Sequence, residues 1–441
     1  MSLSRVLYYN FKLNRILRTN RSAVLKTRER RFRRLLKYAL RHSDFYRAYY
    51  ADHGVDLGNA EDVDIADLPP IDKETVVDHF DDVVVPPELT RRRVEDFLES
   101  SPAPDTMLSG KYRVLHTSGT TGTVGYFVYG PVEWDLVKAV SLRMFPQCGL
   151  KPRSYAYVGV ADGHYAGISL FLSPLGSPEG IFYRDYLVVD IGHPLERYVD
   201  ALNGLAPEVV TGYPSGIGIL AELQKAGMLR INPRAVVTGG EPVTAGTKEL
   251  IDEVWECPLI NYYAASESLT LGVERADLEG FYLFDDVNYI EFKDDHILLT
   301  NLYNYTQPLI RYRMNDILIP TGHGGVWPFT RIERVIGRQE ELLWFANERG
   351  NLDFIHPIAV VEFFVKGLEK YQVVKTGNAS FTFRAVVSPQ FDRKGVQRRI
   401  EERWREILRK KEMSNIDYRI HLVDDIPGDP RSGKHYLIRT A

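Results

Sequence analysis

Cysteine is nearly absent from this chain of 441 residues: there are two, Cys148 and Cys257. They are too few for a disulfide framework or a cysteine-rich zinc site, and they suit a reducing compartment. No stretch is long and apolar enough to span a bilayer. Arg5, Lys12 and Arg15 interrupt the beginning of the chain, where a secretion signal needs an apolar core. These absences lead us to expect a cytoplasmic protein. An excess of positive charge is also missing. The formal net charge is -4, which argues against a nucleic-acid binder. No internal repeat or low-complexity segment stands out. What remains is an ordinary globular composition, 44% apolar and 26% charged, over a length that suits two or three domains.

Charge is unevenly placed. The basic segment 1–43 carries Arg5, Lys12, Arg15, Arg18, Arg21, Lys26, Arg28, Arg30, Arg31, Arg33, Arg34, Lys37 and Arg41 against Glu29 alone. Leu3, Leu7, Phe11 and Leu17 recur beside them at near-helical spacing. A basic amphipathic helix of this kind can lie on an anionic membrane. The plainer reading, which we prefer, is a solvated helix packing that apolar stripe on the main domain.

A linker at Leu68-Pro69-Pro70 follows. From there to about residue 330, short β-rich runs alternate with helical patterns, which predicts a mainly parallel sheet with helices on both faces. One unit is especially clear. Ala235-Val236-Val237-Thr238 reads as a buried strand that stops at Gly239-Gly240-Glu241-Pro242. Thr244 caps a helix with Leu250, Ile251, Val254 and Trp255 on one face, Pro258 ends it, and Leu259 to Tyr263 form the next strand. That strand stops at Ala264-Ala265-Ser266-Glu267. In a β-α-β crossover the strands run parallel, and ligands bind beyond their carboxyl ends. Glu241 and Glu267 should therefore open onto one crevice.

Composition shifts at Gly337-Arg338-Gln339-Glu340-Glu341. Beyond it come a strand at Leu342–Phe345, a helix from about Pro357 to Lys370, strands at Tyr371–Thr376 and Phe381–Val387, a helix at Arg393–Lys410 and a strand at Tyr418–Val423. The fold class expected is α/β: a large N-terminal domain, residues 1–336, with mainly parallel sheets flanked by helices, plus a small mobile C-terminal α+β domain, residues 337–441.

The densest chemical signal is His116-Thr117-Ser118-Gly119-Thr120-Thr121-Gly122-Thr123. Glycines let backbone N–H groups turn inward, and successive inward N–H groups with hydroxyls make a cradle for phosphate. An ordinary polar loop is the alternative. His116 reads as a residue behind the loop rather than a base. Gly212-Tyr213-Pro214-Ser215-Gly216 has the wrong spacing for a nucleophile elbow and reads as a loop and helix start.

Taken with Leu309-Ile310-Arg311-Tyr312-Arg313-Met314-Asn315-Asp316 and a terminal Ser432-Gly433-Lys434 turn, these motifs resemble, in order, the adenylate-forming superfamily of acyl- and aryl-CoA synthetases, adenylation domains and luciferases. The likeness is nearest to phenylacetate-CoA ligases and CapK-type proteins, whose N-terminal region is similar to His42–Arg47 and Leu68–Lys73. It implies an ATP-dependent, AMP-forming carboxylic acid ligase with ATP, Mg²⁺ and CoA. Thr117 to Gly122 would hold phosphates, with Thr117 counted as catalytic. Gly239, Gly240, Glu241 and Pro242 would contact adenine, with Tyr263 flanking it, and Tyr262, Ala264 and Ser266 would belong to the nucleotide site. Glu267 would take magnesium, Asp316 the ribose hydroxyls, Arg338 the ribose region, and Glu340 would be the hinge. Lys434 would be the catalytic lysine.

Tyr213, His164 and Tyr165 are candidates for an aromatic-lined acid pocket. Each assignment has a plainer counterpart: Glu241 as a helix N-terminal acid, Glu267 as a cap, Asp316 as an ion-pair partner of Arg311 or Arg313, and Lys434 as a solvated cation. The chain departs from the family pattern at Thr123-Val124, where lysine-proline is usual, at Ala264 for glycine, at Asn315 for arginine and at Glu340 for aspartate.

Expected partners are a small carboxylic acid of aryl or acyl type and CoA, or an amine, sugar or carrier-protein acceptor. No nucleic acid is expected. A nucleotide-binding protein without turnover is the non-enzymatic alternative. A homodimer, and a weak membrane or carrier-protein contact through the basic N-terminus, remain open.

Overall fold

The computed structural model describes residues 2–56, 63–101, 103–117, 124–145, 154–173, 185–336, 342–361, 363, 365–427 and 437–440. Helices open the chain: α1 (Leu3–Asn14), α2 (Arg21–His42), α3 (Asp44–Asp52), α4 (Lys73–Asp78), α5 (Phe80–Val83) and α6 (Arg91–Ser100). Asn20, Asp72 and Thr90 cap α2, α4 and α6, each accepting from a backbone N–H three residues on. Basic α2 is held by its charges as well as by Phe32, Leu35, Leu36 and Ala39 in the core. Arg21 pairs with Asp285, Arg31 donates to the Asp286 carbonyl, and Arg28 lies 3.9 Å over the Tyr289 ring.

The preferred reading of the first helix is half right. α1 does pack on the main body, and Leu17 just beyond it is buried as expected, but within the helix Val6 and Leu13 make the contact, while Leu7 and Phe11 face outward.

Strands β1 (Arg113–His116) and β2 (Tyr126–Tyr129) form an antiparallel hairpin, and α7 (Pro131–Ser141) follows. The central sheet draws on β3 (Ser154–Gly159), α8 (Ala166–Leu172), β4 (Asp185–Asp190), α9 (Leu195–Leu205), β5 (Val209–Gly212), α10 (Pro214–Lys225), β6 (Ala235–Gly239), α11 (Ala245–Trp255), β7 (Leu259–Ala265), β8 (Ser268–Arg275) and β9 (Gly280–Leu283). A three-stranded antiparallel sheet stands beside it, made of β10 (Asn288–Phe292), β11 (Ile297–Asn301) and β12 (Tyr312–Met314). With β13 (Ile317–His323) and β14 (Thr330–Ile336), the nine-stranded sheet has the order β13-β14-β9-β8-β7-β6-β5-β3-β4. Strands β4, β3, β5, β6 and β7 are parallel, as expected, and helices cover them. Past β7 the direction alternates, so the other half of the sheet is antiparallel. Strand alternation divides the core: Tyr155 and Tyr157 join the apolar cluster that holds α2, while Ala156 and Val158 join the one under α9, α10 and α11.

From Leu343 the chain builds a second layer around a core of its own. A hairpin of β15 (Leu343–Ala346) and β16 (Leu352–Ile355) leads to α12 (Pro357–Val361). The sheet β19-β18-β17-β20 is made of β17 (Leu368–Gly377), β18 (Ser380–Val387), β19 (Asp417–Leu422) and β20 (Ile438–Thr440). Helix α13 (Arg393–Lys410) lies on it through Val396, Ile400, Trp404 and Leu408. The helix predicted to run to Lys370 is one short turn, because β17 begins at Leu368, after Gly367 at φ +90°. The β15–β16 hairpin also joins the two cores. Leu343, Phe345 and Ile355 face the second core, whereas Trp344 and Phe354 pack under α9 and α10.

Candidate functional site

Because β6 and β7 are parallel neighbours with Gly239 opposite Tyr262, the turns that follow them emerge on one edge of the sheet. A Cβ at Gly239 would sit 2.8 Å from the Tyr262 carbonyl oxygen, so the strands approach there as only glycine allows. Gly240 has φ +83°, and a Cβ on it would lie 2.9 Å from the Tyr213 ring. Pro242 follows in the same turn, and Thr244 then caps α11 by accepting from the Thr247 N–H at 3.1 Å.

The Glu241 carboxylate is not a simple helix-end acid. Its Oε2 accepts from Ser215 N at 3.2 Å and from Ser215 Oγ at 2.5 Å, at the beginning of α10. Burial raises its pKa above the ordinary carboxylate value. His356, from the end of β16, lies with Nε2 at 2.8 Å from Ser215 Oγ. The Ser215 hydrogen is directed at Glu241, so His356 Nε2 carries the hydrogen of the second bond. Burial holds His356 neutral, its pKa lowered to about 3.

Glu267 ends the turn after β7. It is buried, with Tyr312 donating to its Oε1 at 3.3 Å. Burial raises its pKa, and the Lys73 ammonium opposes that shift. Two residues before the end of β7, the Tyr263 hydroxyl donates to Asp316 Oδ2 at 2.6 Å. Arg311 is engaged bidentately by Glu291 at 2.8 Å and binds the Ala66 carbonyl at 2.9 Å, while Arg313 reaches Asp295 at 3.4 Å. Arg311, at φ +54°, thus ties the Pro-marked linker to β12, and Ile71 bridges Tyr312 there.

The hairpin that would present the phosphate loop reaches the same edge. Thr117 and Gly125 close its neck through Thr117 N to Gly125 O at 2.9 Å and Gly125 N to Thr117 Oγ1 at 3.0 Å. His116 N donates to the His164 carbonyl beyond β3, and its ring lies 4.6 Å from that of Tyr165. Burial lowers the His116 pKa to about 4, which suits a residue behind the loop. Tyr129 donates to the Ser266 carbonyl at 2.7 Å, joining β2 to the Glu267 turn. Ser118, Gly119, Thr120, Thr121 and Gly122, together with Arg338, Glu340 and Lys434, lie outside the described residues.

No protein-family model matches the chain. It is similar to protein CapK of Staphylococcus aureus, 20% identical over 436 residues that cover 94% of this chain and 89% of that protein. It is also similar to the phenylacetate-coenzyme A ligase of Thermus thermophilus, 25% identical over 339 residues that cover 71% of this chain and 70% of that protein. Among solved structures, 2-hydroxyisobutyryl-CoA ligase in complex with 2-HIB-AMP and CoA superposes at a TM-score of 0.60, covering 97% of this chain and 92% of that one at 18% identity.

The chain shares the fold of that ligase.

Within that fold, two sequence assignments need correcting. Tyr262 does not face the carboxyl edge of the sheet: its hydroxyl donates to Leu269 O at 2.9 Å and lies 3.3 Å from Ser141, deep in the core. Its neighbour Tyr263 is the one that reaches the motif aspartate. His164 does not line an open pocket, because its Nε2 is 2.5 Å from the Ser101 carbonyl and its ring packs on Phe97. Tyr165 and Tyr213 stay at the carboxyl edge of the sheet, both buried. Ala264, near the end of β7, and Ser266, in the turn before Glu267, are half-buried.

Ser215, His356 and Lys73 were missed as site residues. Ser215 lies in a segment whose spacing reads as a loop and helix start, and no local pattern links it to His356.

A magnesium ion would find one buried carboxylate here, Glu267, whose raised pKa a divalent cation would reverse. Among the described residues no cluster of three or more His, Cys, Asp or Glu is placed to hold a metal. A single protein carboxylate is a donor set that suits Mg²⁺ carried in on substrate phosphates.

Proposed function

We propose that this chain is an ATP-dependent, AMP-forming ligase that activates an aryl or acyl carboxylic acid as its adenylate and passes the acyl group to the thiol of CoA. The observation that carries it is the convergence of Tyr263, Asp316 and Glu267 at the carboxyl edge, beside the Gly239-Gly240 turn. Both the Thermus relative and the hydroxyisobutyryl ligase are named for CoA, which favours the thiol over an amine, sugar or carrier protein.

Each residue has a physical task. Asp316 accepts from the vicinal ribose hydroxyls, a fork that a carboxylate offers. Tyr263 fixes that carboxylate and presents a flat face to the purine. The amides and hydroxyls of residues 117–122 hold the departing pyrophosphate in line. Glu267 holds the magnesium that neutralises phosphate charge when bound. Lys434 stabilises charge growing on the α-phosphoryl oxygens.

Residues 1–336 form the body and 337–441 a lid that turns at Glu340, near Arg338, so that the lysine is delivered and withdrawn. The reaction belongs in the cytoplasm, where ATP and CoA are at hand. Incubation with ATP, Mg²⁺ and a panel of acids in hydroxylamine should trap a hydroxamate with the true substrate. Mass analysis of the product with CoA, amines or a carrier then names the acceptor, and a hydroxamate without a CoA thioester would overturn the thiol assignment.

A further inference from the structure

Helix α1 carries two apolar faces, and one of them is already spent. Val6 and Leu13 are buried against the body, where Arg5 Nε donates to the fully buried Asp135 at 2.6 Å and Asn10 donates to the Ala139 carbonyl at 3.1 Å. Arg143 donates to the Leu13 carbonyl at 3.0 Å. These bonds fix the helix about its axis, so the opposite face cannot turn inward. That face holds Leu7, Tyr8 and Phe11, exposed at 51%, 57% and 71%.

On a helical projection, exposed Ser4, Lys12 and Arg15 fall within the same arc. Lys12 Nζ lies 5.6 Å from the Tyr8 ring centre, and exposed Arg18 follows. The segment contains no acidic residue before Glu29. No described helix is long and apolar enough to cross a membrane.

We infer that α1 is a surface anchor that rests on an anionic lipid bilayer, with Leu7, Tyr8 and Phe11 entering the headgroup boundary and Lys12, Arg15 and Arg18 on lipid phosphates. Bulky apolar side chains beside cations on one outward arc are the pattern of interfacial helices. A second copy packed through parallel α1 helices would set Lys12, Arg15 and Arg18 against their own equivalents, whereas an anionic bilayer compensates all three. The inference stands on α1 alone and does not depend on the reaction proposed above.

The test is co-sedimentation of the full chain with vesicles of phosphatidylcholine, with and without phosphatidylglycerol. Binding should be about tenfold or more stronger on the anionic vesicles and should weaken as salt rises. The Leu7→Ser/Phe11→Ser variant should lose about tenfold or more of that binding, with an unchanged thermal unfolding midpoint because both side chains are exposed. Lys12→Ala/Arg15→Ala should flatten the salt dependence. Equal, negligible sedimentation with both vesicle types would overturn the proposal, as would full binding by the Leu7/Phe11 variant. Self-association that the same variant abolishes, without vesicle binding, would assign the face to a second copy and overturn it as well.

Discussion

Tyr263 and Asp316 stand 53 positions apart in sequence and meet through a 2.6 Å hydrogen bond from the tyrosine hydroxyl to the carboxylate. The bond orients the acid proposed to hold the ribose. A hydrogen bond to a charged group contributes about 1.5–3 kcal/mol. Tyr263→Phe should therefore lower kcat/KM for ATP by roughly tenfold to a hundredfold, and Asp316→Ala by at least as much. Initial-rate kinetics at varied ATP check this; an unchanged value in both variants would remove the pair from the nucleotide site.

Glu267 should be a residue whose function costs stability. Burial lifts its carboxyl above the ordinary 4.5. Just above pH 4.5 the folded chain then binds more protons than the unfolded chain, so this group's contribution falls as pH rises through that window and stays unfavourable at neutral pH. Glu267→Gln should raise the melting temperature at pH 7 and leave it nearly unchanged at pH 4, while raising the magnesium concentration that adenylation needs. Calorimetry at the two pH values, paired with a magnesium titration, reads both effects.

His356 should impose an acid limit on the contact between the C-terminal segment and the Gly240 turn. Its pKa is lowered from 6.5 to about 3 by burial. Between those values the unfolded state binds the extra proton, so stability is complete above pH 6.5 and falls towards pH 3, by about 1.4 kcal/mol per pH unit at most. Buried His116, lowered to about 4, adds to the slope with the same sign. His356→Asn should flatten the pH dependence of urea unfolding between pH 4 and 6; an unaltered slope would place the proton elsewhere.

Lys411 anchors the second core to the first. Its ammonium meets Asp353 at 3.0 Å with both side chains 2% exposed, and it also donates to the His193 carbonyl at 2.6 Å and the Tyr198 hydroxyl at 2.9 Å. Beside it, Lys410 pairs with Asp190 at 2.5 Å. Burial lowers the Lys411 pKa to about 8. Lys411→Ala leaves a buried carboxylate unpaired and should cost about 3–5 kcal/mol, whereas Lys411→Met/Asp353→Leu should recover most of that. Chemical denaturation of the three proteins decides it.

The β6–α11–β7 unit was legible because glycine, proline and a capping threonine punctuate two apolar runs. The antiparallel half of the sheet was not. All but one residue of β8 is buried, and a continuous buried strand gives no hint of its neighbour's direction. The face of α1 was misjudged because helical spacing selects Leu7 and Phe11 as well as it selects Val6 and Leu13, and the choice was made by Asp135 and Arg143, far along the chain. Tyr262 and Tyr263 are adjacent aromatics on one strand, and their hydroxyl partners, Leu269 and Asp316, tell them apart. Ser215 and His356 are 141 positions apart, so their contact exists only after both layers have folded.

Exchange of labelled pyrophosphate into ATP, measured across a broad panel of carboxylic acids, tests the central claim most directly. Exchange should appear with a restricted set of acids and be absent without acid. It should fall by about a hundredfold or more in Lys434→Ala, while that variant binds ATP almost as tightly as the parent. Exchange with no acid on the panel, or exchange undiminished in Lys434→Ala, would contradict it.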